Sequence, residues 1–163
     1  MLRIKEISSY EQFNDMKEAW GDLISRSNVD NIFLTHDWMD SYIRNCCNGN
    51  RLLILTLFDD EALVGIAPFM IKKCSFMGVS IKSVCFVGTT ASDRIDFILG
   101  SASKEKCIVS IMDYLVGINK DWDFLDFQEI LRHSGTVEII EKWVNTRKWK
   151  FIFLNEFLVG IDR

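Results

Sequence analysis

The chain has 163 residues, 48% hydrophobic and 26% charged, with a formal net charge of −4 from 19 basic and 23 acidic residues. This length and composition suit one globular domain over residues 1–163 with a proper core, and they exclude a disordered chain. The acidic balance argues against nucleic acid or an anionic membrane as partner, because those favour a basic face. No apolar run approaches the roughly 20 residues that cross a bilayer, so no membrane span is expected. The start, MLRIKEISSYEQF, lacks a signal-peptide core, so the expected location is cytoplasmic. The five cysteines (Cys46, Cys47, Cys74, Cys85, Cys107) form no Cys-x-x-Cys and read as reduced thiols, several of them core filler.

Residues 2–7 alternate loosely and predict a half-exposed strand. Ser9 with Gln12 is a capping-box signature for a helix carrying Phe13, Met16, Ala19 or Trp20, Leu23 and Ile24 and ending near residues 25–28. A second helix opens with Thr35 as N-cap and Asp37 in its first turn. It carries Trp38, Met39, Tyr42 and Ile43 and stops at Asn48-Gly49. Residues 52–58 and 62–71 are two apolar runs around Asp59-Asp60-Glu61, which predicts a hairpin. Strands without polar alternation are buried on both faces, so this hairpin belongs in mid-sheet with helices above and below. Pro68 has no N–H to donate and belongs at a bulge or beside an unpaired position, and Gly65 supports a local irregularity.

Residues 79–87 predict the next strand, followed by a hydroxyl-rich loop, Gly88 to Asp93, and a strand over 94–99. Ser103 caps a helix with Cys107, Ile108, Ile111, Met112 and Leu115 on its inner face, ending at Gly117. A strand over 122–127 follows. Ser134 is placed to cap a helix with Val137, Ile140, Trp143 and Val144, and residues 149–154 form a further strand. Phe157 to Val159 extends it or begins another. The order β-α-α-β-β-β-β-α-β-α-β predicts an α/β (α+β) mixed sheet with helices on both faces.

That order resembles the GNAT acyl-CoA N-acyltransferase fold. Four segments resemble one branch of it, the FemAB-like and cellulose-biosynthesis-associated (BioF2-like) acetyltransferase-like proteins. They are Phe33-Leu34-Thr35-His36-Asp37-Trp38, Leu63-Val64-Gly65-Ile66-Ala67-Pro68-Phe69, Ser92-Asp93-Arg94-Ile95-Asp96-Phe97 and Trp122-Asp123-Phe124-Leu125-Asp126-Phe127. Members of that family usually have two tandem GNAT-like halves, and this chain resembles the first. The resemblance implies transfer of an acyl or aminoacyl group to a sugar or cell-envelope precursor, with a second GNAT-like half as partner; self-association through a sheet edge left exposed by missing strands is a separate reading. It implies acyl-CoA as donor, yet the fingerprint (Q/R)-x-x-G-x-(G/A) is absent. The matching junction, Leu99-Gly100-Ser101-Ala102-Ser103-Lys104, has one glycine, whereas a phosphate cradle needs several converging N–H groups. A non-catalytic binding or scaffolding module with a degenerate acyl-donor site is the alternative.

Candidate residues follow from chemistry. His36 and His133 are the two histidines, and either can act as an acid–base near neutral pH. His133 lies in a polar loop, which leaves His36 and Asp93 as candidate general bases. Asp93 sits in a loop with Thr89, Thr90 and Ser92, a cluster suited to hydroxyl- or amine-bearing substrates. Asp96 is a further candidate substrate contact; residues three apart on a strand point to opposite sides, so it cannot pair with Asp93 unless the strand begins after Asp93. Asp126 and Gln128, at the end of the next strand, are placed to face the same groove, because ligands of open α/β sheets bind beyond the carboxyl ends of strands. Thr35 and Trp38 complete the candidate set for a small-molecule or glycan-precursor substrate; core packing is the competing role for Trp38 and Trp122.

Overall fold

The computed structural model describes residues 2–27, 29–47, 49–89, 91–100, 103–147, 149–154 and 157–161. The chain begins with β1 (Arg3–Ile7), whose side chains alternate between water and core. The capping box forms as expected. Ser9 Oγ accepts from the Gln12 N–H, and the Gln12 side chain reaches back to the Ser9 backbone. The single helix expected here is two, α1 (Tyr10–Asp15) and α2 (Lys17–Arg26). Met16 divides them because its N–H turns to the Phe13 carbonyl, a tight i→i−3 bond. The apolar stripe survives the break, and Phe13, Trp20 and Leu23 are all buried. The α3 helix (His36–Cys46) follows with Thr35 as its N-cap, the hydroxyl accepting from Trp38 N–H.

The central hairpin is β2 (Arg51–Asp59) with β3 (Ala62–Phe76). β3 runs past the expected end at Ile71 and turns into β4 (Val79–Phe86), making a second long hairpin. After an eleven-residue excursion come β5 (Ile98–Leu99), α4 (Lys104–Gly117), β6 (Phe124–Phe127), α5 (Thr136–Arg147), β7 (Lys150–Leu154) and β8 (Phe157–Ile161). The segment at Phe157 is thus a strand of its own. The expected strand over 94–99 shrinks to its last two residues, because Asp96 bonds its own neighbour's N–H and a helix start instead of a ladder.

The sheet runs β1-β2-β3-β4-β6-β8-β7, with β5 also pairing β3. Its pairings are antiparallel except β4 with β6, which the α4 crossover makes parallel. Tyr114 of α4 bonds Glu6, on the face that carries Leu55. Cys47, beyond α3, touches Met70 on the opposite face. Helices therefore cover both sides of the hairpin, and its apolar runs are buried as expected. Pro68 lies where β3 changes partner. β4 pairs with β3 only from Phe69 onward, and β5 only at Gly65 and Ile66. Pro68 meets that gap with a carbonyl that accepts from Val87 N–H at 2.7 Å, and it has no N–H to leave unpaired there. The register slips between Leu57 and Phe58, opposite the Leu63–Gly65 step. A Cβ on Gly65 would meet Leu99 at 3.0 Å. No helix among the described residues is long and apolar enough to cross a membrane.

Candidate active site

The site grows from the excursion between β4 and β5. Gly88 turns the chain out of the sheet with φ +98°. The hydroxyl of Thr89 donates to Phe86 O and that of Ser92 to Gly88 O, each at 2.9 Å, so both close the turn on itself. Tyr42 of α3 donates to the Thr89 carbonyl at 3.2 Å and fixes the loop to that helix. Further on, Ile95 N–H donates to Glu129 O at the exit of β6, and the loop bridges the ends of two strands. Phe97 then packs its ring among Phe69, Phe86 and Phe127.

That path carries Asp96 to the start of α5. Its carboxylate accepts from Thr136 Oγ1 at 2.9 and 2.8 Å and from Phe97 N–H at 2.8 Å. Thr136 is fully buried, and its own N–H reaches Ser134 Oγ at 3.3 Å, the cap expected for this helix. Asp96 is half-buried. Burial pushes its carboxyl above the ordinary aspartate value, against the pull of the Thr136 hydroxyl and the Lys104 charge. A cavity of about 340 Å³ opens beside it. Its polar lining is Asp30, Asn31, Arg94, Asp96, Lys104 and Ser134, with apolar walls that include Leu34, Phe97 and Leu99. Lys104, in the first turn of α4, donates to Ser134 O, which ties the starts of α4 and α5 together. Asn31 donates to Arg94 O at 2.9 Å and holds the third wall. The arrangement presents two carboxylates and two cations across one small apolar-walled cleft.

The residues singled out from sequence are dispersed around this cleft. Asp96 lines it. His36 is buried inside the helical layer instead, stacked on Phe13 at 4.1 Å with Trp20 edge-on. Its Nε2 meets Phe13 O at 3.0 Å, and it is not among the residues lining the cavity. Thr35 serves as a helix cap, and Trp38 is half-buried between Phe33 and Tyr42. Asp93 is exposed, and its charge adds to the burial that pushes the Glu129 carboxyl up. Asp126 accepts from Gln128 at 3.0 and 2.9 Å, so these two hold each other. Thr90 lies outside the described residues. Asp30, Asn31, Arg94, Lys104, Ser134 and Thr136 were not anticipated as one site. Of the two serines expected to cap helices here, Ser103 makes no side-chain bond to the start of α4, whereas Ser134 accepts from Thr136 N–H, so only Ser134 gave a local signal for this site.

No family model matches the sequence, and no curated protein matches it. Solved structures do resemble it. A GNAT-family acetyltransferase from Streptococcus pneumoniae superposes with a TM-score of 0.54 at 14% identity, covering 98% of each chain. A Bacillus subtilis acetyltransferase solved in complex with CoA superposes with a TM-score of 0.51 at 10% identity, covering 100% of this chain and 99% of that one. At such identities the likeness speaks for architecture, and the architecture of this chain is the GNAT acetyltransferase fold.

Proposed function

We propose that this chain is the acceptor-binding domain of a GNAT-type acyltransferase, and that the Asp96 cleft holds a small acceptor bearing both an amine and an anionic group. The observation that carries this reading is the pairing of opposite charges in one cavity. Asp96 and Asp30 suit an ammonium, and Arg94 suits a phosphate or carboxylate beside a Lys104 ammonium that the Ser134 carbonyl already holds. A sugar or cell-envelope precursor such as an amino-sugar phosphate has both groups. An amine must lose its proton before it attacks an ester or thioester carbonyl. A carboxylate whose proton affinity is raised by burial is the better base for that step. Asp96 is therefore the proposed base in place of Asp93 or His36.

The described residues at the start of α4 do not fit a coenzyme's diphosphate. The Gly100 N–H is bound to the Val64 carbonyl at 2.9 Å. The Lys104 ammonium is bound to the Ser134 carbonyl, and the Asp96 carboxylate faces the same cavity, where it opposes an anion of that charge. The cradle residues Ser101 and Ala102 lie outside the described residues. In this reading the acyl donor is held by a second GNAT-like half or a partner chain. The alternative, a pure binding module, rests on the same occupied N–H and ammonium.

Calorimetric titration with glucosamine 6-phosphate checks the acceptor assignment. Saturable binding is expected, weakened in both glucose 6-phosphate, which lacks the amine, and glucosamine, which lacks the phosphate. Equal heats from all three sugars, or none from any, would remove the charge-pairing argument.

A further inference from the structure

The β3–β4 hairpin continues beyond the sheet. β2 begins, at Arg51, opposite Ile71, and β6 begins opposite Ser83. The pairs Lys73↔Lys82, Cys74↔Ile81, Ser75↔Ser80 and Phe76↔Val79 therefore form a ribbon with no third strand beside it among the described residues. Its apex is Met77-Gly78, with φ +50° and +81°. A turn with both central residues left-handed is ordinarily filled by Asn-Gly or Asp-Gly. Here a methionine occupies the strained position and is 89% exposed, with Val79 beside it at 61%. One residue thus combines backbone strain with an apolar side chain in water, and a combination of that kind points to a use.

Residues 71–83 contain three lysines and no acid, in a chain whose net charge is −4. Lys72 and Lys73 are successive strand residues and point to opposite faces, and Lys82 lies directly across from Lys73. Two like charges opposed across a ladder repel each other unless an anion lies between or beyond them. None of the three ammonium groups has a hydrogen bond or ion pair among the described residues. Two acids stand at the ribbon's base with partners of their own: Asp121 lines a cavity with Lys73 and Lys82 and pairs with Arg51 at 2.7 Å, and Asp123 accepts the Lys82 backbone N–H at 2.7 Å. The lysines thus form a collar on both faces, four to five residues behind the apex.

We infer that this ribbon docks end-on into an anionic lipid bilayer, with Met77 and Val79 entering the acyl boundary and Lys72, Lys73 and Lys82 meeting headgroup phosphates. At about 3.3 Å per strand residue the collar lies roughly 13 Å behind Met77. Interfacial segments bury about 5–10 Å deep, which brings flexible lysine stems to the phosphate level. A flat protein partner would ask for the charge on one face. A plane pierced by the tip asks for it on both. The whole-chain charge pointed away from membranes, and the local sequence reverses that sign where it matters.

Flotation of the full chain with vesicles of phosphatidylcholine containing phosphatidylglycerol tests the inference, with pure phosphatidylcholine vesicles as reference. Binding to the anionic vesicles is expected, falling about tenfold or more in Lys72→Glu/Lys73→Glu/Lys82→Glu. Met77→Asn separates insertion from folding, because asparagine accepts the left-handed turn. It should weaken vesicle binding by about tenfold while the thermal midpoint holds or rises. No binding to anionic vesicles, equal binding to both lipid types, or unchanged binding by Met77→Asn would each overturn the inference. So would lysine-dependent binding to polyglutamate in a chain that ignores the vesicles, which would mark a surface for an acidic protein instead.

Discussion

Gly88→Ala should destabilise the fold by about 3 kcal/mol, the sum of a left-handed backbone penalty of about 1–2 kcal/mol and an overpacking cost of about 1–3 kcal/mol. At φ +98° an L side chain is strained wherever it points. Here it also points into the Trp38 ring, with a built Cβ only 2.5 Å from two ring carbons and 3.0 Å from Ser92 Oγ. The ring has nowhere to go. Phe33 stands edge-on to it at 5.4 Å and Tyr42 is stacked on it at 5.5 Å, while the Tyr42 hydroxyl is bonded to the loop itself. Urea denaturation measures the loss. Adding Trp38→Leu should recover the overpacking share and leave the strain, so the two changes will not add. A loss under about 0.5 kcal/mol, the level of an ordinary surface change, would mean the loop is not anchored on α3 as described.

Asp96→Asn should leave the chain folded and reduce affinity for an amine-bearing anion by roughly 10- to 100-fold, since charge-assisted hydrogen bonds contribute about 1.5–3 kcal/mol. The amide keeps one acceptor for Thr136 and Phe97 but loses the charge that faces the ligand. The same variant has a stability signature of opposite sign. The folded carboxyl titrates above its unfolded value because burial disfavours the charged form. An acid shifted upward costs nothing below its unfolded titration. The penalty grows as pH rises toward the folded value and is complete above it. Urea midpoints of the native chain should therefore fall through that window relative to Asp96→Asn. A native chain that instead gained stability with pH relative to the variant would show that hydrogen bonds, and not desolvation, dominate at this carboxyl.

Much of the fold was legible because its signals are local. The capping box at Ser9, the cap at Thr35 and the acidic turn at residues 59–61 each fix backbone within a few residues, and each is found where the pattern put it. The errors came from tertiary demands. Met16 bends a helix whose periodicity runs straight through it, and β3 outruns its apolar stretch because β4 supplies ladder partners for Lys72 and Lys73. Asp96 looked like a strand residue because Ile95 and Phe97 flank it, but its carboxylate follows the distant Thr136 hydroxyl. The candidate site was hard to read for the same reason. Hydroxyls at Thr89 and Ser92 suggest a binding loop, and nothing local reveals that the turn takes both. The histidine at 36 suggests chemistry, and only packing shows it lying flat against Phe13.

The central proposal is a GNAT-fold domain whose Asp96 cleft takes the acceptor and whose described residues at the start of α4 offer no cradle for a coenzyme's diphosphate. Titrating the whole chain with acetyl-CoA tests this most directly. The account predicts no saturable heat at micromolar concentrations. A micromolar dissociation constant would contradict it, and would return the chain to the ordinary two-substrate enzymes of this fold.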